Sequence, residues 1–445
     1  MLRLNCPVQN YAWGRPAKGK NGRTCAVAAL AEAAGVAIDL EKPYAELWMG
    51  THPSGPACLH AEEGTTLNAW LEAHPAALGD ALRQRFGSDL PFLFKVLSVE
   101  TALSIQSHPD KALAERLHAE RPKVYKDANH KPEMAIALTD FEALCGFVGH
   151  EELVRALDAT PELAACVGAG PAAALRAAGQ DGKARRAALR EAFTALMLCD
   201  ACTVAGQVNA LAARLEGERT GGRALSPKEA LVLRLNAQYP ADVGVLSAYF
   251  LNLVVLQPNQ GIHLAANVPH AYVSGELVEC MATSDNVIRA GLTPKLRDTA
   301  VLCESLTYEQ GPPEVLRGEE VQQYTRRYAP PFDEFEVQRL EVPAGASTLL
   351  PANPGAMLLL ATAGAGEARA SGCGAEAGPH PDAELLEAAP GLRKGDVFFV
   401  PAGTSLQLAA GPGAPLTLWV AAVNAQLFPR NEGSGSVQGN EKHVG

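Results

Sequence analysis

Residues 90–99 (LPFLFKVLSV) are apolar almost without a break, a pattern that predicts a strand buried on both faces, with Lys95 as the charge at its centre. The strand-like run SVETALSI overlaps its end and leads to Gln106-Ser107-His108. Pro109 then stops the strand, and Asp110 opens a helix-like segment, KALAERLHAE. After a polar loop, His130-Lys131-Pro132-Glu133 leads into a further apolar strand, MAIAL. Upstream, TCAVAALAEAAG and TLNAWLEAHPAALGDALRQRFG have helical spacing. AELWMGTHPSGPACL turns between strands through Gly50, Pro53, Gly55 and Pro56. From 149 to 236 alanine, leucine, arginine and glutamate recur at 3.6-residue spacing, in three helix-length segments separated by GAGP, QDGK and RTGGR. This is a helical insert, because strand character returns at Gly244 and again from 335 to 428, broken by a glycine-alanine loop at 364–381. The polar last dozen residues predict a disordered tail.

A chain of 445 residues exceeds one ordinary core, so two or three domains are expected. An apolar fraction of 47% with 20% charged residues is globular, and a net charge of −11 argues against nucleic acid or an anionic membrane as partner. The ten cysteines form no framework, and Cys199-Asp-Ala-Cys202 alone has redox or zinc spacing, inside helical sequence. The opening MLRLNCPVQNYAWG lacks a signal-peptide core and no apolar run reaches the ~18 residues of a membrane span, so a reduced, cytoplasmic setting is expected. The basic run Lys183-Ala-Arg185-Arg186 reads as a solvated helix face.

Side chains two apart on a strand share a face, so the Gln106 amide and the His108 imidazole can reach toward one point. Glu133, at the mouth of a second strand, would complete a metal arrangement of nitrogen and oxygen donors. A repeat bears on this. Gly261-IHLAANV-Pro269-His270 and Gly395-DVFFV-Pro401-Ala-Gly403 each run glycine, short hydrophobic strand, proline and turn, which resembles the second motif of cupin barrels. Short strands with Gly/Pro corners suit jelly rolls. The second copy carries Thr404 and Ser405 where the first has His270, so the first copy alone could bind a metal.

YAWG (11–14), ELWMGTHPSGP (46–56), LPFLFKVLSVETALSIQSHPDK (90–111), NHKPEMAIAL (129–138), FEALCGF (141–147) and NVPHAYVSGELVECMATSDNVIRAGLTPKLRD (267–298) together resemble the type I mannose-6-phosphate isomerases. The resemblance implies a mainly β fold with a helical insert: two cupin (jelly-roll) barrels plus an all-α domain. The expected division is 1–148 and 241–330 for the catalytic cupin domain, 149–240 for the insert, 331–430 for a metal-free C-terminal cupin domain, and 431–445 for the tail. It further implies one Zn2+ per chain, held by Gln106, His108, Glu133 and His270, and interconversion of mannose 6-phosphate and fructose 6-phosphate. A monomer acting on a small phosphorylated sugar, with no nucleic-acid or membrane partner, is expected.

Moving a carbonyl between adjacent carbons through an enediol needs a proton shuttle and a positive group at the oxygen. Glu279 and Asp285 are the carboxylate candidates for the shuttle, with His130 and Lys131 as rivals for ring opening and proton transfer. Arg289 belongs near the reacting end or the phosphate. Lys295 is grouped with Ser104 and Lys95 on the phosphate side, while Trp13, Glu46 and Trp48 line or support the sugar pocket. Each has a plainer reading: Gln106 as a strand cap, Glu279 and Asp285 as hydrogen-bonded strand-end acids, His52 as a turn residue. Lys95 resists one, because a buried unpaired ammonium is costly. His263 reads as a local variation rather than a fifth ligand. Two other functions stay open: a cupin dioxygenase with a two-His-one-carboxylate iron site, and a non-catalytic sugar-phosphate-binding cupin.

Overall fold

The computed structural model describes residues 1–19, 22–373 and 391–428. The expected tail and the second half of the 364–381 loop lie outside those residues. Within them the chain is rich in sheet and carries twelve α-helices.

The strand predicted at 90–99 is Phe92–Val99, and all eight of its residues are buried. It lies between Glu46–Met49 and the thirteen-residue strand His270–Ala282, antiparallel to both. The long strand continues to Phe141–Phe147 on one side and to Glu133–Ala137, and it meets the short Ile105–Ser107 at His270. Ile288–Gly291 pairs beyond Ile105–Ser107, closing a ten-stranded sheet. Leu97, Val99, Ala135, Ala137, Tyr272 and Leu277 form an apolar cluster on one face of these strands.

The strand-like run predicted to lead into Gln106 is interrupted. The amides of Glu100 and Thr101 both donate to the Trp13 carbonyl at 3.1 Å, and that of Leu103 donates to Tyr272 O at 2.8 Å. A loop therefore separates Phe92–Val99 from Ile105–Ser107, because the backbone bonds with other strands instead of continuing its own. The segment expected to return to strand at Gly244 is helical at first. Asp242 caps Val243–Ser247 by accepting from the Gly244 amide, and the strand begins only at Leu251.

The helical insert contains six helices where three were expected, running from His150–Ala159 to Pro227–Gln238. The expected break at GAGP is present at Gly168, while Pro161 and Asp200, inside what looked like continuous periodicity, start additional helices. Lys183-Ala-Arg185-Arg186 is on an outer surface, with Arg185 and Arg186 paired to Glu151 and Glu309. Cys199 ends one helix and Cys202 lies in the first turn of the next. Among the described residues no single helix is long and apolar enough to cross a membrane.

The C-terminal strands build an eight-stranded and a four-stranded sheet. Residues 365–373, predicted as loop, form a strand paired with Thr404–Ala410. The eight-stranded sheet is completed by distant sequence: Leu2–Asn5 pairs with Val397–Val400, and Cys58–Leu59 pairs with Leu2–Asn5.

Candidate metal centre and active site

His270 on the long strand stands directly opposite Gln106, and Arg289 stands opposite Gln106 on the other side. Cross-strand neighbours share a face, so the three side chains lie abreast. The Ser104 hydroxyl donates to Gln106 Oε1 at 3.2 Å. Glu133 opens its strand opposite Met281, with Ala135 opposite Glu279 and Glu279 opposite Lys95. A register shift near Ser274 lets His270 and Tyr272 share a face with Leu277 and Glu279, although their numbers differ in parity. Gly275 permits it: its φ is +122°, and a Cβ there would lie 2.6 Å from the Asp140 carbonyl oxygen.

One atom each from His108, Glu133 and His270 lie within 4.8 Å of one another, and all three residues are buried. His108 Nε2 is 3.3 Å from Glu133 Oε1, and His270 Nε2 is 3.4 Å from Oε2. The far nitrogens decide the tautomers. His108 Nδ1 is 2.7 Å from the carbonyl oxygen of Asn286, and His270 Nδ1 is 3.0 Å from that of Val268. A carbonyl only accepts, so each ring donates from Nδ1 and offers a bare Nε2. Burial, more than offsetting the pull of Glu133, brings the His108 pKa down to about 4. Both Nε2 atoms are buried without a hydrogen-bond donor. Tetrahedral zinc with bonds of about 2.0–2.1 Å spaces its donors about 3.3–3.4 Å apart, so the donor set fits a divalent cation. Carbonyl partners on the outer nitrogens are the usual support of metal-binding histidines.

Burial alone would raise the Glu133 carboxyl, but Lys131 and then His108 hold it well below the usual range. Lys131 Nζ is 3.1 Å from Glu133 Oε1.

Beside this centre, Lys95 Nζ donates to Glu279 at 3.1 Å and lies 3.7 Å from Glu46. It also stands 5.2 Å from the centre of the Trp48 ring, whose Nε1 donates to Glu46. Burial would neutralise Lys95, but Glu46 and Glu279 outweigh it and keep the ammonium charged. Burial pushes the Glu279 carboxyl up against the pull of Lys95, and the neighbouring Glu133 and Glu46 push the same way. A buried carboxyl with raised pKa beside a candidate metal centre suits proton transfer.

The other predicted residues fall into distinct places. Trp13 packs on the apolar cluster, 6.0 Å from the Tyr11 ring. Asp285 is half-exposed, 3.4 Å from His52 Nε2, and His52 holds its carboxyl below the ordinary value. Arg289 makes no ion pair among the described residues, and Lys295 is exposed on the turn after its strand. No hydrogen bond or ion pair among the described residues joins Lys95 to Ser104 or Lys295. His130 turns from Glu133 to Glu334, with Nε2 2.5 Å from Oε1. His263 pairs with Met134, whereas Leu264 pairs with Glu133, so His263 faces away from the centre and packs edge-on against Phe332.

Sequence reasoning missed Tyr272, whose phenol burial and the charge of Glu279 push well above its usual pKa, and Asn286. PHAY held the first within one strand step of a proposed ligand. Nothing could reveal the second, because it acts through its backbone carbonyl.

Residues 1–150 match the family profile "Phosphomannose isomerase type I, catalytic domain", and 167–251 match "Phosphomannose isomerase type I, helical insertion domain". The chain is 44% identical to mannose-6-phosphate isomerase 1 of Arabidopsis thaliana over 434 residues, covering 96% of this chain and 95% of the relative. It is 44% identical to the Homo sapiens mannose-6-phosphate isomerase over 349 residues, covering 76% and 82%. The mannose 6-phosphate isomerase of Salmonella typhimurium, solved bound to substrate (f6p) and zinc, superposes with a TM-score of 0.76 at 29% identity, covering 95% of this chain and 99% of that one. This chain belongs to the type I phosphomannose isomerase family and is a mannose-6-phosphate isomerase.

Proposed function

We propose that the enzyme works with one Zn2+ per chain, held by Gln106, His108, Glu133 and His270, and isomerises mannose 6-phosphate and fructose 6-phosphate through an enediol. The observation that carries this reading is the convergence of two bare imidazole nitrogens on the Glu133 carboxylate at 3.3 and 3.4 Å. When bound, the ion supplies Lewis-acid polarisation of the carbonyl or its neighbouring hydroxyl. Glu279 takes the proton from one carbon and returns it to the next. Its raised pKa supports that role, and the Lys95 ammonium 3.1 Å away orients it. Lys131 supports the charge of Glu133 and faces the reacting end, while His130, spent on Glu334, braces the strand from outside. Arg289 and Lys295 have no carboxylate partner among the described residues, which suits them to the phosphate. Ser104 holds Gln106. Trp13, Glu46 and the rim acid Asp285 shape the sugar pocket. Two cupin barrels, the second metal-free, with the all-α insert between the halves of the first, is the architecture we assign.

Metal analysis with a coupled isomerase assay tests the reading. Wild-type enzyme should carry one zinc per chain, and His270→Ala and Glu133→Ala should lose zinc and turnover together. Iron with oxygen uptake on an organic substrate, or tight mannose 6-phosphate binding without turnover by the zinc enzyme, would defeat it.

A further inference from the structure

Asp127 lies in the loop between the helix Lys111–Glu120 and the strand Glu133–Ala137, and it is half-buried. Its carboxylate accepts from three consecutive residues across the site. The Ser284 hydroxyl reaches Oδ1 at 2.8 Å, the Asp285 amide reaches Oδ2 at 2.8 Å, and the Asn286 Nδ2 reaches Oδ1 at 3.1 Å. The Asp127 carbonyl takes a second bond from Asn286 Nδ2 at 2.7 Å, and the Asn129 amide donates to Oδ1 at 2.9 Å. The 284–286 turn does two things at once. The Asn286 carbonyl receives His108 Nδ1, and the Asp285 carboxylate faces His52 at the rim. Ser284 and Asn286 are buried and also donate to the Asn129 carbonyl, at 3.2 and 3.0 Å, so the Asp127 carboxylate shares its donors with that carbonyl and not with bulk water.

We propose that Asp127 is a positioning residue for the isomerase: through the 284–286 turn it fixes both the carbonyl that orients His108 and the rim carboxylate of Asp285. The proposal rests on the reading of His108 as a zinc ligand. Asp127 stands outside the proposed ligand set, and acts by holding one turn in register with one ring.

The test uses the full-length zinc enzyme. Asp127→Ala should release zinc to a chelator about tenfold faster or more, and lower kcat by about tenfold, the low end of what outer-shell metal partners are worth. Its cobalt-substituted form should show an altered visible spectrum, a readout that a mere loop staple would leave alone. Ser284→Ala, which removes one of the bonds, should move both readouts the same way by less; it decides the matter if Asp127→Ala does not fold. Unchanged zinc release and cobalt spectrum in the folded variants would overturn the proposal, whatever happens to Tm. His108→Ala is measured alongside. If it holds zinc as firmly as wild type, the ligand assignment itself fails. If it loses zinc while Asp127→Ala keeps it, only the role of Asp127 fails.

Discussion

Lys95 is 7% exposed in the middle of an apolar strand, and two carboxylates keep it there as a cation. Removing one member of a buried charge cluster leaves the others uncompensated, at a cost of about 3–5 kcal/mol. Lys95→Met should therefore lower unfolding free energy by about that amount and depress turnover, as read by urea denaturation and assay; an unchanged midpoint would mean the carboxylates find another partner. Arg289 is the opposite case, a cation with no counterion among the described residues. Arg289→Ala should reduce kcat by about 10²–10³ with zinc content unchanged, whereas loss of zinc would remove Arg289 from the substrate side. Burial of a charge was legible in the apolar run around Lys95. Its partners were not, because Glu46 and Glu279 come from other strands and only register brings them together.

The element that organises the site is the strand His270–Ala282, which touches Phe92–Val99, Ile105–Ser107, Glu133–Ala137 and Phe141–Phe147. The QxH, HKPE and PHAY stretches were readable as separate strand ends. The register shift near Ser274 was not, since a glycine in a strand does not announce which way its neighbours turn. Periodicity also failed in part of the insert, where Pro161 and the cap residue Asp200 cut patterns that read as continuous. One of these, Pro227–Gln238, starts with a capping box between Ser226 and Glu229, and Arg223 is 2.8 Å from the Glu229 carboxylate. Arg223, outweighing partial burial, and Ser226 bring the Glu229 pKa from 4.5 down to about 2. A depressed carboxylate pKa gives stability that is present above pH 4.5 and is lost as pH falls toward 2. After discounting for solvent screening this is about 1 kcal/mol. Glu229→Gln should thus be about 1 kcal/mol less stable than wild type at pH 7, with the gap closing as unfolding is followed downward from pH 5. A gap independent of pH would assign the effect to the cap's shape, not its charge.

At the scale of the whole chain, the first strand belongs to the last sheet. Leu2 and Leu4 share an apolar cluster with Phe92 and Phe94 of the ten-stranded sheet and with Phe399 and Trp419 of the C-terminal block. Phe399 is fully buried in it, so Phe399→Ala should cost about 3–5 kcal/mol. Because the cluster spans both regions, unfolding should stay a single transition at lower temperature; calorimetry that resolved two transitions, one of them unshifted, would separate the regions energetically. The sequence motifs marked the N-terminal half and the return segment, but the C-terminal block offered only alternating strands, with nothing to say that residues 2–5 would close its edge. Leu2 meets Phe399 roughly 400 residues later. At about 5–20 residues per second of synthesis, the nascent chain holds an unpaired leading edge for roughly 20 to 80 seconds before its mate leaves the ribosome. Met1, 2% exposed, packs in the same cluster as Phe398 and Val400, so any residue attached ahead of it starts from a buried position beside that seam.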